Sequence, residues 1–158
     1  MSEFKEKFLR EAIRLSIDNI NDGHGGPFGA VIVKNGEIIS KAVNKVISKK
    51  DPTAHAEIEA IRIASKKLNN FHLTGCEIYT TCEPCPMCLG AIYWAQIEKI
   101  YYANTRAYAK KIQFDDEYIY EEFSKHYHER KIPISQHLRN EAIKAFEAWE
   151  KKTDKINY

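Results

Sequence analysis

Over residues 4–20 the apolar positions Phe4, Phe8, Leu9, Ala12, Ile13, Leu15, Ile17 and Ile20 recur near every 3.6 residues, with charges between them. That period predicts an amphipathic helix, and Gly23 beyond it supplies a stop. The pattern then changes to two β-branched runs, 28–33 and 37–47, on either side of Lys34-Asn35-Gly36. Asn-Gly accepts the positive φ angles of a tight turn, so the pair predicts an antiparallel hairpin. Residues 54–68 return to helical spacing through Ile58, Ile61, Ile63, Ala64 and Leu68, with Thr53 or Asp51 able to cap the start. A short β-branched run at 77–81, helical spacing at 89–95 and a further strand at 99–103 complete the legible part. Strand, helix, strand implies a parallel pair joined by a right-handed crossover, so the fold class is α/β with a mixed sheet.

Beyond Asn104 the pattern weakens to an irregular stretch, the acidic run Asp115-Asp116-Glu117, a helix near 118–127 and a clearer one at 136–149. The polar tail, 151–158, is expected to fray. At 158 residues and 44% apolar, the chain suits one domain over 1–158 and is short for two. Twenty-four Lys and Arg against 22 Asp and Glu leave a net charge of +2, and the basic pairs are dispersed among acids, which gives nucleic-acid binding little support. The N-terminal residues mix Glu3, Lys5, Glu6 and Lys7 with Phe4 and Phe8, unlike a secretory or transit leader, and no apolar run approaches a membrane span. A cytoplasmic location is the expectation.

The candidate chemistry lies in the cysteines. Cys76, Cys82, Cys85 and Cys88 all fall in one short stretch, whereas a disulfide framework would spread them along the chain. Cys85 and Cys88, three apart at the expected start of a helix, share a face, and His55 opens the preceding helix. Two sulfurs and a nitrogen suit zinc. Three protein ligands leave a fourth position for water, as catalytic sites do; Cys82 or Cys76 as a fourth ligand would instead close the site. Glu57, two residues beyond His55, is better placed to carry a proton than to bind metal. Zinc lowers the pKa of its water from about 15.7 to near 7, and a nearby carboxylate can take that proton and return it to a leaving amine. Hydrolytic release of ammonia is the implied reaction, with helix starts and the backbone N–H of Cys85 favouring developing negative charge.

His55-Ala56-Glu57 followed by Pro84-Cys85-Pro86-Met87-Cys88 is the H-x-E…P-C-x-x-C pattern of zinc nucleobase deaminases. With residues 25–33, 51–57 and 82–95, Phe114-Asp115-Asp116 and Tyr158, the chain resembles the cytidine deaminase superfamily nearly end to end, and within it the bacterial guanine deaminases. The resemblance implies a three-layer α/β/α fold and one zinc ion per chain held by His55, Cys85 and Cys88. It implies Glu57 as proton shuttle, Asp116 as a second catalytic group, and Phe28, Asn44, Ala56, Trp94 and Tyr158 around the base. The implied reaction converts guanine to xanthine and ammonia, in a homodimer that exchanges C-terminal segments from about residue 105, with the Tyr158 tail as a lid. Another nucleobase or nucleoside, or adenosine in tRNA, is the alternative substrate, and a closed zinc module using Cys82 the alternative from another class. Read without the resemblance, Phe28 and Trp94 are core aromatics, Asn44 is a polar strand-edge residue able to donate and accept, and Cys76 and Cys82 are small buried residues.

Overall fold

The computed structural model describes residues 3–158. It divides into two compact units, one ending at Glu117 and the other Tyr118–Tyr158.

In the first unit, helix α1 (Glu6–Asp22) ends where Gly23, at φ 71°, donates its N–H to Asn19 O at 3.1 Å, a left-handed cap that glycine adopts without steric cost. Strands β1 (Gly29–Lys34) and β2 (Glu37–Val43) form the expected antiparallel hairpin, with Asn35 and Gly36 at φ 51° and 79° in its turn. Strand β3 (Cys76–Cys82) pairs antiparallel with β1 and parallel with β4 (Lys99–Asn104), giving the order β2-β1-β3-β4. Helix α4 (Pro86–Trp94) joins the parallel pair. Side chains alternate across β1, so Ala30 and Ile32 enter a core with Ala56, Ala60 and Ala64 of α3 (Ala56–Leu68) and Ile92 of α4. Val31 and Val33 face the other way, onto Phe8 and Ala12 of α1. Both faces of the sheet are covered, which makes the three layers α/β/α, and β3, between two neighbours, is buried along its whole length.

Several expectations are corrected in detail. The buried stripe of α1 is Phe8, Ala12, Ser16 and Asn19, while Ile13, Ile17 and Ile20 are exposed. In α3, Glu57 and Glu59 are buried and Ile63 is exposed. Strand β2 stops at Val43 rather than at 47, because Asn44 Oδ1 accepts the Val46 N–H at 3.1 Å, a local bond that turns the chain into helix α2 (Val46–Lys49). Neither Thr53 nor Asp51 caps α3; they bond each other, and His55 holds the cap position. Helix α4 starts at Pro86, where a missing N–H costs nothing. Helix α5 (Arg106–Lys111) follows β4.

The second unit holds α6 (Glu117–Ser124, whose first residue closes the first unit), a 3-10 turn (Tyr127–Glu129) and α7 (Arg139–Lys151). No residue of 118–158 is buried.

Candidate metal centre and active site

His55 and Cys85 occupy equivalent places: each is the N-cap of its helix in extended backbone, and neither side chain caps that helix. Both are thereby free to turn toward the same point, beside the carboxyl end of β3, where ligands of open α/β sheets gather. Cys88, one turn into α4, completes the group. His55 Nδ1 lies 3.6 Å from Cys85 Sγ and 3.5 Å from Cys88 Sγ. Zinc bonds of about 2.3 Å to sulfur and about 2.1 Å to nitrogen, at tetrahedral angles, put such donors about 3.6 Å apart, so the three side chains fit zinc without rearrangement. Among the described residues these three form the group able to hold a metal. Cys82 is not in it; its Sγ faces Thr105 O at 3.9 Å, and burial, reinforced by the charges of Glu57 and Asp116, pushes its thiol up to about 12. The closed site with Cys82 as fourth ligand therefore has no geometric support.

The thiols differ in their surroundings. Cys85 is drawn down to about 4, first by the Cys88 thiol donating to it and then by His55, despite partial burial. Cys88 is pushed up, because it donates to Cys85 and is buried. Contact with Cys85 raises the pKa of His55.

Glu57 is buried, and burial pushes its carboxyl upward. Its Oε1 accepts a 2.8 Å hydrogen bond from Thr80 Oγ1 on β3, while Oε2 lies 3.5 Å from Cys88 Sγ. Thr80 thus fixes one oxygen and leaves the other toward the sulfur cluster. Asp116 is half-buried, and desolvation raises its pKa; its charge acts on His55, Cys82 and Cys85, which places it in the electrostatic reach of the cluster. Glu59 is buried too, yet Lys49 at 2.6 Å and Arg62 at 3.0 Å outweigh that burial and hold its carboxyl below the ordinary range.

Phe28 is half-buried, and Phe114 meets its ring edge-on at 4.9 Å, forming an aromatic wall. Asn44 is buried at the end of β2, and its Oδ1 accepts from Gly26 N at 3.3 Å and Val46 N at 3.1 Å. Those two bonds fix the amide orientation and use the oxygen's lone pairs, so Asn44 offers a ligand only its N–H donors, not the mixed edge expected from sequence. A Cβ at Gly25 would meet Asn44 Oδ1 at 2.1 Å, which explains the glycine. Asn19, fully buried on α1, donates from Nδ2 to Gly26 O at 2.9 Å and to Asn44 O at 3.0 Å. Its Oδ1 has no protein partner, a situation that costs about 1–3 kcal/mol. Ala56 is buried at the first position of α3, among N–H groups that a helix leaves without intrahelical partners. Trp94, at the end of α4, is 71% exposed and is not the core aromatic expected. Tyr158 belongs to the C-terminal unit and is exposed.

Residues 2–104 match the cytidine and deoxycytidylate deaminase zinc-binding region. The chain belongs to that deaminase family. It is 48% identical over 153 residues to the guanine deaminase of Bacillus subtilis, a match covering 97% of this chain and 98% of that protein. The X-ray structure of the B. subtilis guanine deaminase is similar at a TM-score of 0.95 and 47% identity, covering 99% of each chain. A tRNA-specific adenosine deaminase of Aquifex aeolicus is 50% identical over 99 residues, 63% of this chain and 65% of that protein. For a zinc-binding deaminase, the motif residues were legible, whereas Thr80 and Asn19 lie outside the motif. Both are polar residues on faces that the period assigns to the core, and that was their only signal.

Proposed function

We propose that this deaminase hydrolyses guanine to xanthine and ammonia, with one zinc ion per chain on His55, Cys85 and Cys88. The observation that carries the reading is the extent of the likeness: it continues past Asn104, where the family match ends, to 97% of the chain for the guanine deaminase, against 63% and 75% for two adenosine deaminases acting on tRNA.

A bound zinc supplies an activated water at neutral pH. Glu57 takes a proton from the attacking water at Oε2 and returns it to the departing amino nitrogen, so water's oxygen ends on carbon 2 as the carbon–nitrogen bond breaks. Thr80 keeps Oε1 occupied, so the same carboxylate oxygen receives and releases the proton. Asp116 supplies a second acceptor for the purine's N–H or amino groups, and the Cys85 backbone N–H a donor toward developing negative charge. Guanine displays two acceptors, O6 and N7, on one edge, and a donor-only Asn44 complements that edge. Phe28 and Trp94 offer faces for the ring, Ala56 its backbone.

The whole chain acts as one deaminase domain in a homodimer that exchanges the segment from about residue 105, with Tyr158 closing the site. Exposed Phe123, Ile132, Ile134, Leu138 and Phe146, in a unit with no buried residue, support this reading, since such apolar surface is covered in stable proteins. Among the described residues no helix is long and apolar enough to cross a membrane. Four unpaired cysteines fit a reducing cytoplasm.

The test is release of xanthine and ammonia from guanine by the zinc-loaded protein. Glu57→Ala is expected to keep its zinc and lose the reaction; full activity in that variant removes Glu57 from the mechanism, and an inactive wild type removes guanine.

A further inference from the structure

We infer that Asn19 is the positioning residue that sets the Asn44 amide against the base, and through it the preference for a purine with an oxygen at carbon 6. This rests on the guanine reading above. Asn19 sits on α1, on the far side of the glycine turn from the zinc ligands in sequence, and touches none of them. Its two N–H donors are both committed: one carbonyl is Gly26's, the other Asn44's. The same two residues are tied a second time, by Gly26 N–H to Asn44 Oδ1. Asn44 N–H then reaches Phe28 O at 3.0 Å, which brings the aromatic wall into the same bonded ring.

The consequence is that Asn44 is fixed at both ends: Asn19 holds its backbone carbonyl, and the Gly26 and Val46 N–H groups hold its side chain through Oδ1. Among the described residues Asn44 Nδ2 donates to no protein group and, unlike Asn19 Oδ1, is not sealed from solvent. Its N–H groups therefore face accessible space in a fixed direction. Asn19 itself is unsuited to a purely packing role: its neighbours on the buried stripe are Phe8, Ala12 and Ser16, and its own Oδ1 stays unpaired. A residue kept there for its donors, with its acceptor unused, is explained by the two carbonyls it holds.

The experiment compares guanine with 2-aminopurine, which keeps the 2-amino group and N7 but lacks the oxygen at carbon 6. In zinc-loaded Asn19→Leu, kcat/KM for guanine is expected to fall about tenfold while that for 2-aminopurine changes less than about threefold, because guanine offers the Asn44 amide two acceptors and 2-aminopurine only N7. Asn19→Ser, which can hold one of the carbonyls, should lie between and serves if the leucine variant fails to fold. Amide hydrogen exchange at Gly26 and Val46 should accelerate relative to the β3 amides, with zinc content unchanged. Equal losses on both bases, or no loss on either, overturn the inference, as does unchanged exchange at the two amides. If the wild type turns over neither base, the guanine reading fails, and the exchange measurement alone decides whether Asn19 holds Asn44.

Discussion

The two units of this chain solve the problem of apolar residues in opposite ways. In the first, a mixed sheet is covered on both faces, and Ile32, Ile78 and Tyr79 are removed from solvent. In the second, helices of comparable apolar content bury nothing completely. The boundary is also chemical, since the zinc-binding family match stops at residue 104 and the metal group lies wholly before it. The contrast teaches that the first unit carries the metal-binding residues on a fully covered sheet, while the second leaves its apolar side chains exposed.

The largest effect that could break this contrast is on stability. Ile32→Ala, in the fully buried core, should lower unfolding stability by about 2–5 kcal/mol at any protein concentration. Ile132→Ala, at a position 79% exposed, should act only through association: its melting temperature should fall at low protein concentration and recover at high. A concentration-independent loss would mean that the second unit is not completed by a partner chain.

Removing residues 156–158 should come next, lowering guanine turnover about 10- to 100-fold through lost closure while zinc content stays that of the wild type. Unchanged kinetics would sink the lid. Within the first unit, Thr80→Val keeps the shape of β3 but removes the 2.8 Å bond to Glu57, and kcat should drop about tenfold with KM little changed. Thr80→Ser should restore it; a loss equal in both variants would point to packing instead.

The smallest effect concerns acid. Glu11 is held down at about 2, first by Arg14 and then by Lys41, against an ordinary value of 4.5. Since the folded value lies below the unfolded one, the stabilisation is complete above pH 4.5 and is lost as pH falls toward 2. Near the surface it amounts to less than about 1 kcal/mol. Urea titrations of Glu11→Gln should differ from wild type above that window and converge with it below; a constant difference would assign the effect to packing.

Most of the first unit was legible because period and turn chemistry agree there: Asn35-Gly36 between two β-branched runs allows little but a hairpin, and β3 and β4 follow from their composition. The metal residues were legible because their spacing is a coordination requirement. What was not legible depends on tertiary bonds. The end of β2 is set by Asn44 Oδ1 accepting from Val46, and the caps of α3 and α4 by the direction in which His55 and Cys85 turn. The buried face of α1 rotates onto Ser16 and Asn19 because Asn19 has carbonyls to reach. Trp94 reads as core by residue type and lies exposed at the end of α4. Asp116 and Tyr158 are single polar or terminal residues in a weak pattern, so only their resemblance to a family marked them.

The most direct test of the account sets the two candidate substrates side by side: the zinc-loaded full chain is given guanine in one reaction and tRNA bearing an anticodon adenosine in another. The account predicts xanthine and ammonia from the first and no inosine in the second. Inosine in the tRNA without xanthine from guanine would contradict it, and would mean that the chain beyond residue 104 does not select the base.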